Sequence, residues 1–122
     1  MEILVAEDTP TLQFVIRGFL AKAGHRVALA ATGAEACAAL GRARFDLAII
    51  DLLMPDMDGD EVVRRLRRGR SGQPDLPVLM LTAAIDAESL GRVEGCGADM
   101  MLPKPFRRDE LLGAIDCLMA GR

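Results

Sequence analysis

The sequence predicts an α/β fold, a doubly wound five-stranded parallel sheet with five flanking helices. Five short apolar runs alternate strictly with five segments in which apolar residues recur at helical spacing, and the links between them are short. The runs are apolar on both faces, which is typical of parallel strands covered by helices on each side. Right-handed crossovers and one reversal of strand order would then form a single crevice beside the first strand.

The first two β–α units lie in the first third of the chain. A run too apolar to have one face in water predicts a strand over residues 2–6. Pro10 is typical of the first turn of a helix, and the helical spacing that follows it stops at Gly24. A second strand over residues 25–30 and a second helix over residues 34–40, closed by a glycine, come next.

The other three units follow the same pattern. Apolar runs bounded by polar and turn-forming residues predict strands, and leucine and valine at helical spacing predict helices. The predicted elements are strands over residues 46–51, 78–82 (with a start at 76 as the alternative) and 99–102, and helices over residues 59–68, 86–93 and 107–119.

The composition is that of one ordinary globular domain, spanning residues 1–122, with 51% apolar and 27% charged residues. A net charge of -3 argues against nucleic acid as a partner of this domain. Three scattered cysteines without a C-x-x-C pair predict buried free thiols in a reducing compartment. Since the chain has neither a signal-peptide pattern nor a long apolar stretch, we expect a cytoplasmic protein without membrane contact.

Polar side chains close four of the five apolar runs. Glu7 and Asp8 follow the first run, Asp51 ends the third, Thr82 ends the fourth, and Lys104 comes just after the fifth. Because the carboxyl ends of parallel strands share one edge of a sheet, we expect these side chains to converge there. Carboxylates, a hydroxyl and an amine at one edge indicate a metal-assisted phosphoryl site.

The three carboxylates indicate a divalent cation. Like charges crowded together repel each other, and this is tolerable when a cation lies among them. Oxygen ligands without histidine or cysteine nearby suit Mg²⁺, or Mn²⁺, rather than zinc. A helix cap explains Asp8 on its own and a turn explains Asp51, but neither explains Glu7 beside Asp8 or the polar residues at the other strand ends.

Lys104 is conspicuous in a chain with thirteen arginines and only two lysines. Its place between two prolines indicates a need for a compact ammonium, which can pair with Asp51 at rest and with an added phosphoryl oxygen afterwards. An ordinary surface lysine in a proline turn is the alternative. Thr82 offers a hydroxyl donor, or is simply a β-branched residue that ends a strand.

With the segments around them, these residues resemble the receiver domains of bacterial two-component response regulators. The resemblance runs from residue 2 to about 119 and rests on Glu7-Asp8, Asp51, Met54-Pro-Asp-Met-Asp-Gly59, Thr82-Ala83 and Lys104-Pro-Phe106. It implies the flavodoxin-like strand order 2-1-3-4-5. It also implies a phosphorelay protein that catalyses only its own phosphorylation and autodephosphorylation, and no metabolic reaction.

The resemblance also assigns roles to the acidic residues. Asp51 would accept a phosphoryl group from the phosphohistidine of a histidine kinase or of a histidine phosphotransfer protein. Asp8, Asp51 and the backbone carbonyl of Leu53 would bind Mg²⁺, with Glu7 acting mostly through water. Such a transfer depends mainly on positioning and on cancelling the charge of the phosphoryl oxygens.

Further roles follow from the same resemblance. Thr82 and Lys104 would hold the phosphoryl oxygens, and the peptide bond before Pro105 would be cis. The residues that would flank the phosphoryl group are Leu53, Ala83 and Ala84. Neither Leu53 nor Ala84 can orient an attacking water, so we expect a slowly hydrolysed phosphoaspartate.

One position departs from the family pattern. Receivers usually carry Phe or Tyr three residues before the active lysine, as a ring that moves together with the threonine, and here that residue is Met101. Methionine has no fixed orientation, so the switch formed by Thr82 and Met101 would be weaker or differently built. A degenerate receiver that acts as a phosphorylation-independent interaction module is therefore the alternative function.

Two surfaces are candidates for partners. The resemblance implies a downstream protein partner on the face formed by the fourth helix, the fifth strand and the fifth helix. A basic run at the end of the third helix consists of Arg64, Arg65, Arg67, Arg68 and Arg70. The helix dipole and a solvated face explain this run, and docking to an acidic partner is the alternative.

Overall fold

The computed structural model describes residues 1–69, 72–83 and 86–121. Strands and helices alternate along the chain, and the strands form one parallel sheet in the order β2-β1-β3-β4-β5. The strands are β1 (Glu2–Ala6), β2 (Arg26–Ala30), β3 (Leu47–Asp51), β4 (Val78–Thr82) and β5 (Met100–Pro103). The helices are α1 (Pro10–Lys22), α2 (Gly33–Arg42), α3 (Gly59–Arg67), α4 (Ala87–Cys96) and α5 (Arg108–Met119). The predicted fold and strand order are confirmed.

The sheet separates two layers of apolar core. Successive strand residues point to opposite faces, so Ile3 and Val5 lie in one layer, and Leu4 and Ala6 lie in the other. The first layer packs against α1 and α5, and the second packs against α2, α3 and α4. Every residue of β3 and β4 is buried, as expected for central strands of a parallel sheet. This packing fixes the height at which each strand ends.

The starts of α1 and α2 use local capping chemistry. Pro10 occupies the first turn of α1, and Thr9 is its N-cap residue. At α2, the Thr32 hydroxyl accepts a hydrogen bond from the backbone N–H of Glu35 at 3.1 Å, and the Glu35 side chain points back to the preceding loop. Since Thr9 holds the cap position of α1, helix capping does not account for Asp8.

One predicted helix end is wrong because a glycine is accommodated inside the helix: Gly41 does not close α2, which continues to Arg42. The segment Gly95-Cys-Gly97 does end α4 as expected, although the helix runs through Gly95 to Cys96. Its C-cap residue is Gly97, whose φ of 99° is the left-handed conformation that favours glycine. A helical glycine costs only about 1 kcal/mol relative to alanine, so tertiary packing overrides it.

Arg67 does not belong to a solvated basic face. Its guanidinium donates hydrogen bonds to the backbone oxygens of Pro74, Leu76 and Gly97 and to the carboxylate of Asp99, all at 2.6–2.9 Å. The same Asp99 carboxylate accepts the backbone N–H of Val78, so it connects the end of α3 with the start of β4. Strand β5 begins at Met100, one residue later than predicted. Arg70, the last residue of the predicted run, lies outside the described residues.

The prediction of buried cysteines holds only for Cys96. Cys37 is half-buried, and Cys117 is exposed because it lies on the side of α5 opposite its core-facing leucine and isoleucine residues. In the described part of the chain, none of the helices combines the length and the apolar character needed to cross a bilayer.

Candidate functional site

The predicted site residues converge at the carboxyl edge of the sheet. Glu7, Asp8 and Asp51 each place a carboxylate oxygen within 4.8 Å of the other two. Glu7 and Asp8 directly follow β1, and Asp51 is the last residue of its neighbour β3. The cluster therefore results from two adjacent parallel strands that end at the same height.

Lys104 lies between two of these carboxylates. Its ammonium nitrogen is 2.7 Å from Oδ2 of Asp51 and 2.8 Å from Oε1 of Glu7. The Lys104 side chain is 19% exposed, so both ion pairs are largely shielded from water. The Lys104–Pro105 peptide bond is cis, and the Lys104 backbone N–H donates to the carbonyl oxygen of Thr82 at 2.8 Å. These contacts bring the ammonium to the acidic cluster from the far side of β4.

Glu7 is fully buried and carries its negative charge. Burial alone would raise the pKa of Glu7, but hydrogen bonds from the Lys104 ammonium and from the backbone N–H of Thr9, at 2.9 Å, outweigh it and lower the pKa. The sequence predicted a pair between Lys104 and Asp51 only. The contact with Glu7 was missed because it joins residues 97 positions apart.

Asp51 is the buried carboxyl of the cluster whose pKa is raised. Burial and the neighbouring Glu7 carboxylate raise the pKa of Asp51 to about 6, although the Lys104 ammonium acts in the opposite direction. The exposed Asp8 carboxyl also has a raised pKa, mainly because of the adjacent Glu7 carboxylate. Burial lowers the pKa of Lys104, but the hydrogen bonds to the carboxylates of Asp51 and Glu7 outweigh burial. The pKa of Lys104 is therefore above its ordinary value, and the ammonium stays charged. The charge of the three carboxylates is thus only partly balanced by the Lys104 ammonium.

This donor set fits a divalent cation. It offers carboxylate oxygens from Glu7, Asp8 and Asp51, with Asp8 at the surface and the other two buried. Hard oxygen donors and excess negative charge are what Mg²⁺ and Mn²⁺ require. Leu53 lies in the turn that follows Asp51 and is 54% exposed. Whether its carbonyl also serves as a ligand stays a prediction.

The other predicted site residues lie on β4, on β5 and just after β4. Thr82 ends β4 and is almost completely buried, and Ala83 is exposed next to it. Met101 is half-buried and pairs with Met80 in the sheet, where it packs against the core layer of α2, α3 and α4. Ala84 lies outside the described residues.

The loop after Asp51 is held in place by contacts that sequence reasoning missed. Asp56 has a φ of 66°, a conformation that aspartate tolerates better than most residues. Its carboxylate accepts the backbone N–H groups of Gly33 and Ala34 at 3.0 and 3.1 Å, at the first turn of α2. A Cβ at Gly59 would collide with the carbonyl oxygen of Asp51. The only sequence signal for this arrangement was the cluster of turn-forming residues between Pro55 and Gly59.

A shallow apolar cavity opens beside Lys104. It has a volume of about 370 Å³ and is lined by Leu12, Val15, Ala83, Lys104, Pro105 and Phe106. Its walls come from α1 and from the loops that follow β4 and β5. The acidic cluster is therefore bordered by apolar surface on one side.

The chain is similar to known proteins over almost its whole length. It matches the family described as the response regulator receiver domain over residues 3–116. The response regulator MprA of Mycobacterium leprae is 41% identical over 121 residues, which are 98% of this chain and 51% of that protein. This chain thus spans about half the length of the curated relatives it matches.

Solved structures show the same architecture. The chemotaxis protein CheY4 of Vibrio cholerae has a TM-score of 0.89 and 33% identity, covering 96% of this chain and 97% of that one. The receiver domain of the sensor histidine kinase PA1611 of Pseudomonas aeruginosa has a TM-score of 0.89 and 33% identity, covering 98% and 97%. In that structure a magnesium ion is coordinated in the active-site cleft.

Proposed function

The chain belongs to the family of response regulator receiver domains, and we propose that Asp51 is the residue that accepts its phosphoryl group. Members of this family act in two-component signalling. The observation that carries the proposal is the position of the Asp51 carboxylate, 2.7 Å from a shielded ammonium and within 4.8 Å of two further carboxylates. A buried nucleophile in such surroundings is suited to phosphoryl transfer.

Glu7, Asp8, Asp51 and the backbone carbonyl of Leu53 would hold Mg²⁺, or Mn²⁺, at this site. When bound, the cation offsets the charge of the carboxylates and of the phosphoryl oxygens. Asp8 is the exposed member, so it is the ligand through which the cation would enter. Glu7 is already paired with Lys104, which supports a less direct role for it in cation binding.

In the transfer step, an ionised oxygen of Asp51 forms a bond to phosphorus while the bond from phosphorus to the imidazole nitrogen of the donor breaks. The carboxylate must be ionised to attack, and the raised pKa of Asp51, about 6, means that lower pH opposes the reaction. Lys104 would exchange its contact with Asp51 for one with a phosphoryl oxygen, and the Thr82 hydroxyl would donate to another.

The donor would be a kinase phosphohistidine or that of a histidine phosphotransfer protein. The apolar cavity beside Lys104 supports this, because it offers a docking surface next to the reacting carboxylate. Hydrolysis would follow when water attacks phosphorus and the bond to Asp51 breaks. Leu53 cannot orient that water, so the phosphoaspartate would be long-lived. The downstream partner would bind the face formed by α4, β5 and α5.

The proposal is tested with a small acyl phosphate as donor, using intact mass as the readout. We expect one added phosphoryl group in the presence of Mg²⁺, and none with a chelator or in Asp51→Asn. The same sample, followed over time after the donor is removed, gives the lifetime. If the wild-type protein binds Mg²⁺ but takes up no phosphoryl group, the phosphoacceptor role is refuted and the interaction-module function takes its place.

A further inference from the structure

Arg92 of α4 connects that helix to the start of α3 through two carboxylates. Its guanidinium binds Asp60 in a bidentate manner, with N–O distances of 2.8 and 3.0 Å. Its Nη2 also lies 2.8 Å from Oδ2 of Asp58. A single side chain therefore bridges a helix, the neighbouring helix and the last residue of the loop that follows Asp51.

This bridge differs from an ordinary surface ion pair. The Asp60 side chain is only 5% exposed, and Arg92 and Arg64 both donate to it. Burial alone would raise the pKa of Asp60, but these two guanidinium groups lower it, so Asp60 stays ionised. Asp58 and Arg92 are themselves about one-third exposed, as are Arg65 and Glu61, which pair one turn apart on the same helix, so it is the buried Asp60 that sets the bridge apart. The bridge of Arg92 joins two helices, whereas the pair of Arg65 stays within one.

Asp58 is used in an unusual way. It is the N-cap residue of α3, yet among the described residues its carboxylate accepts no capping hydrogen bond from the first turn of that helix. Instead, Oδ2 faces Arg92, and Oδ1 lies 3.4 Å from the backbone N–H of Met54. The carboxylate thus spans from α4 to the loop that follows Asp51.

The bridged segment is in contact with the backbone of Asp51. Gly59 lies next to Asp58, and its backbone N–H donates to the carbonyl oxygen of Leu52 at 2.7 Å. Any side chain at Gly59 would meet the carbonyl oxygen of Asp51. A displacement of Asp58 and Gly59 would therefore move the backbone between Asp51 and Leu53, where the proposed cation ligands are.

We propose that Arg92 is a positioning residue for the cation site, acting through Asp58 on the loop between Asp51 and Gly59. The inference rests on the proposed function, since it concerns the same Mg²⁺ site. The bridge works in both directions. It holds the loop in the geometry that the cation needs, and it carries a movement of the loop to α4. This path does not pass through Met101, which replaces the usual aromatic residue.

The first test measures Mg²⁺ affinity by isothermal titration calorimetry. We expect Arg92→Met and Asp58→Ala each to weaken Mg²⁺ binding by about tenfold, as removal of a group that orients metal ligands does. The double variant should bind no more weakly than either single variant, because both remove the same link. Arg65→Met is the matched control and should stay within about twofold of the wild type. Arg92→Lys should recover part of the loss.

The second test follows backbone amides by NMR during a Mg²⁺ titration. In the wild type, amides of the loop between Asp51 and Gly59 and amides of α4 should both shift. In Arg92→Met and in Asp58→Ala the loop should still shift, while the α4 shifts should be lost. A residue that only stabilises the fold would not separate the two sets of amides. Asp58→Ala keeps the pair between Arg92 and Asp60, so it serves even if Arg92→Met does not fold.

Three results would overturn the inference. One such result is a variant, Arg92→Met or Asp58→Ala, whose Mg²⁺ affinity and α4 shifts equal those of the wild type. This result would refute the role of Arg92 and leave the proposed function untouched. Additive losses in the double variant would also refute the role of Arg92, since they would show that the two residues act separately. A wild-type protein that does not bind Mg²⁺ would refute the proposed function and this role together.

Discussion

Replacing Asp51 by asparagine should stabilise the protein increasingly as the pH rises, when Mg²⁺ is absent. The pKa of Asp51 is raised from the ordinary 3.8 to about 6, so the folded chain binds this proton more tightly than the unfolded chain does. Stability due to this group is therefore present at low pH and is lost as the pH rises from 3.8 through about 6. The asparagine side chain of the variant has no such titration.

The size of the effect follows from the two pKa values. The full difference between the protonated and ionised limits is about 3 kcal/mol, because one pKa unit corresponds to about 1.36 kcal/mol. Roughly half of it falls between about pH 5 and about pH 8, a range in which most other carboxyls stay ionised. The attraction between the Lys104 ammonium and ionised Asp51 is already contained in the raised pKa of Asp51. Differences between the asparagine amide and the protonated carboxyl add a constant offset, so the change with pH is the quantity that identifies Asp51.

The assay is urea unfolding of both proteins in the presence of a chelator. Circular dichroism is the suitable probe, because the chain has no tryptophan and no tyrosine. The difference in unfolding free energy, Asp51→Asn minus wild type, should grow by about 1.5 kcal/mol from about pH 5 to about pH 8. A difference that does not change with pH would refute the reasoning.

Asp60→Asn is the control for this experiment. Asp60 is as buried as Asp51, but its pKa is lowered from 3.8 because arginine side chains outweigh the effect of burial. Its stabilising contribution is lost only when the pH falls below 3.8, through the lower pKa of the folded state. The variant should therefore be less stable than the wild type by an amount that is constant between about pH 5 and about pH 8.

Three further substitutions test the surroundings of Asp51. Lys104→Met should destabilise the protein by about 3 kcal/mol at neutral pH, because it leaves Glu7 buried without its ammonium partner. Mg²⁺ should restore part of this stability. Urea unfolding with and without Mg²⁺ measures the loss and the recovery. Gly59→Ala should cost about 3 kcal/mol in the same assay because its methyl group meets the Asp51 carbonyl, whereas Gly91→Ala, where a Cβ has free space, should be neutral or stabilising. Asp56→Ala should lower the unfolding free energy by about 1–2 kcal/mol through loss of the acceptor for the N–H groups of α2, and an asparagine at this position should cost less. A fully neutral Lys104→Met, Gly59→Ala or Asp56→Ala would contradict the corresponding contact.

The parallel sheet and the acidic cluster could be predicted because both depend on short-range patterns, whereas the strand order followed from the resemblance to receiver domains. Continuous apolar runs are typical of buried parallel strands, and polar residues at their carboxyl ends must then share one edge. Glu7, Asp8 and Asp51 were placed together in this way, and the structure brings their carboxylates within 4.8 Å of one another. Such an argument needs the end of each strand but no detail of how side chains are packed.

The contacts that hold the site in place could not be predicted in the same way. The pair between Lys104 and Glu7 and the bridge from Arg92 to Asp58 join residues 97 and 34 positions apart. Nothing in the local sequence distinguishes Arg92 or Arg67 from an exposed arginine. Their roles depend on which loops the tertiary fold brings within reach of a long side chain.

The most direct test of the central claim is to locate the phosphoryl group after reaction with a small acyl phosphate and Mg²⁺. Borohydride reduction converts an aspartyl phosphate to homoserine, which marks the modified residue permanently for peptide sequencing by mass spectrometry. We predict homoserine at position 51 only. A mark at Asp8, or at both positions to a similar extent, would contradict the assignment of Asp51 as the nucleophile of this carboxylate cluster.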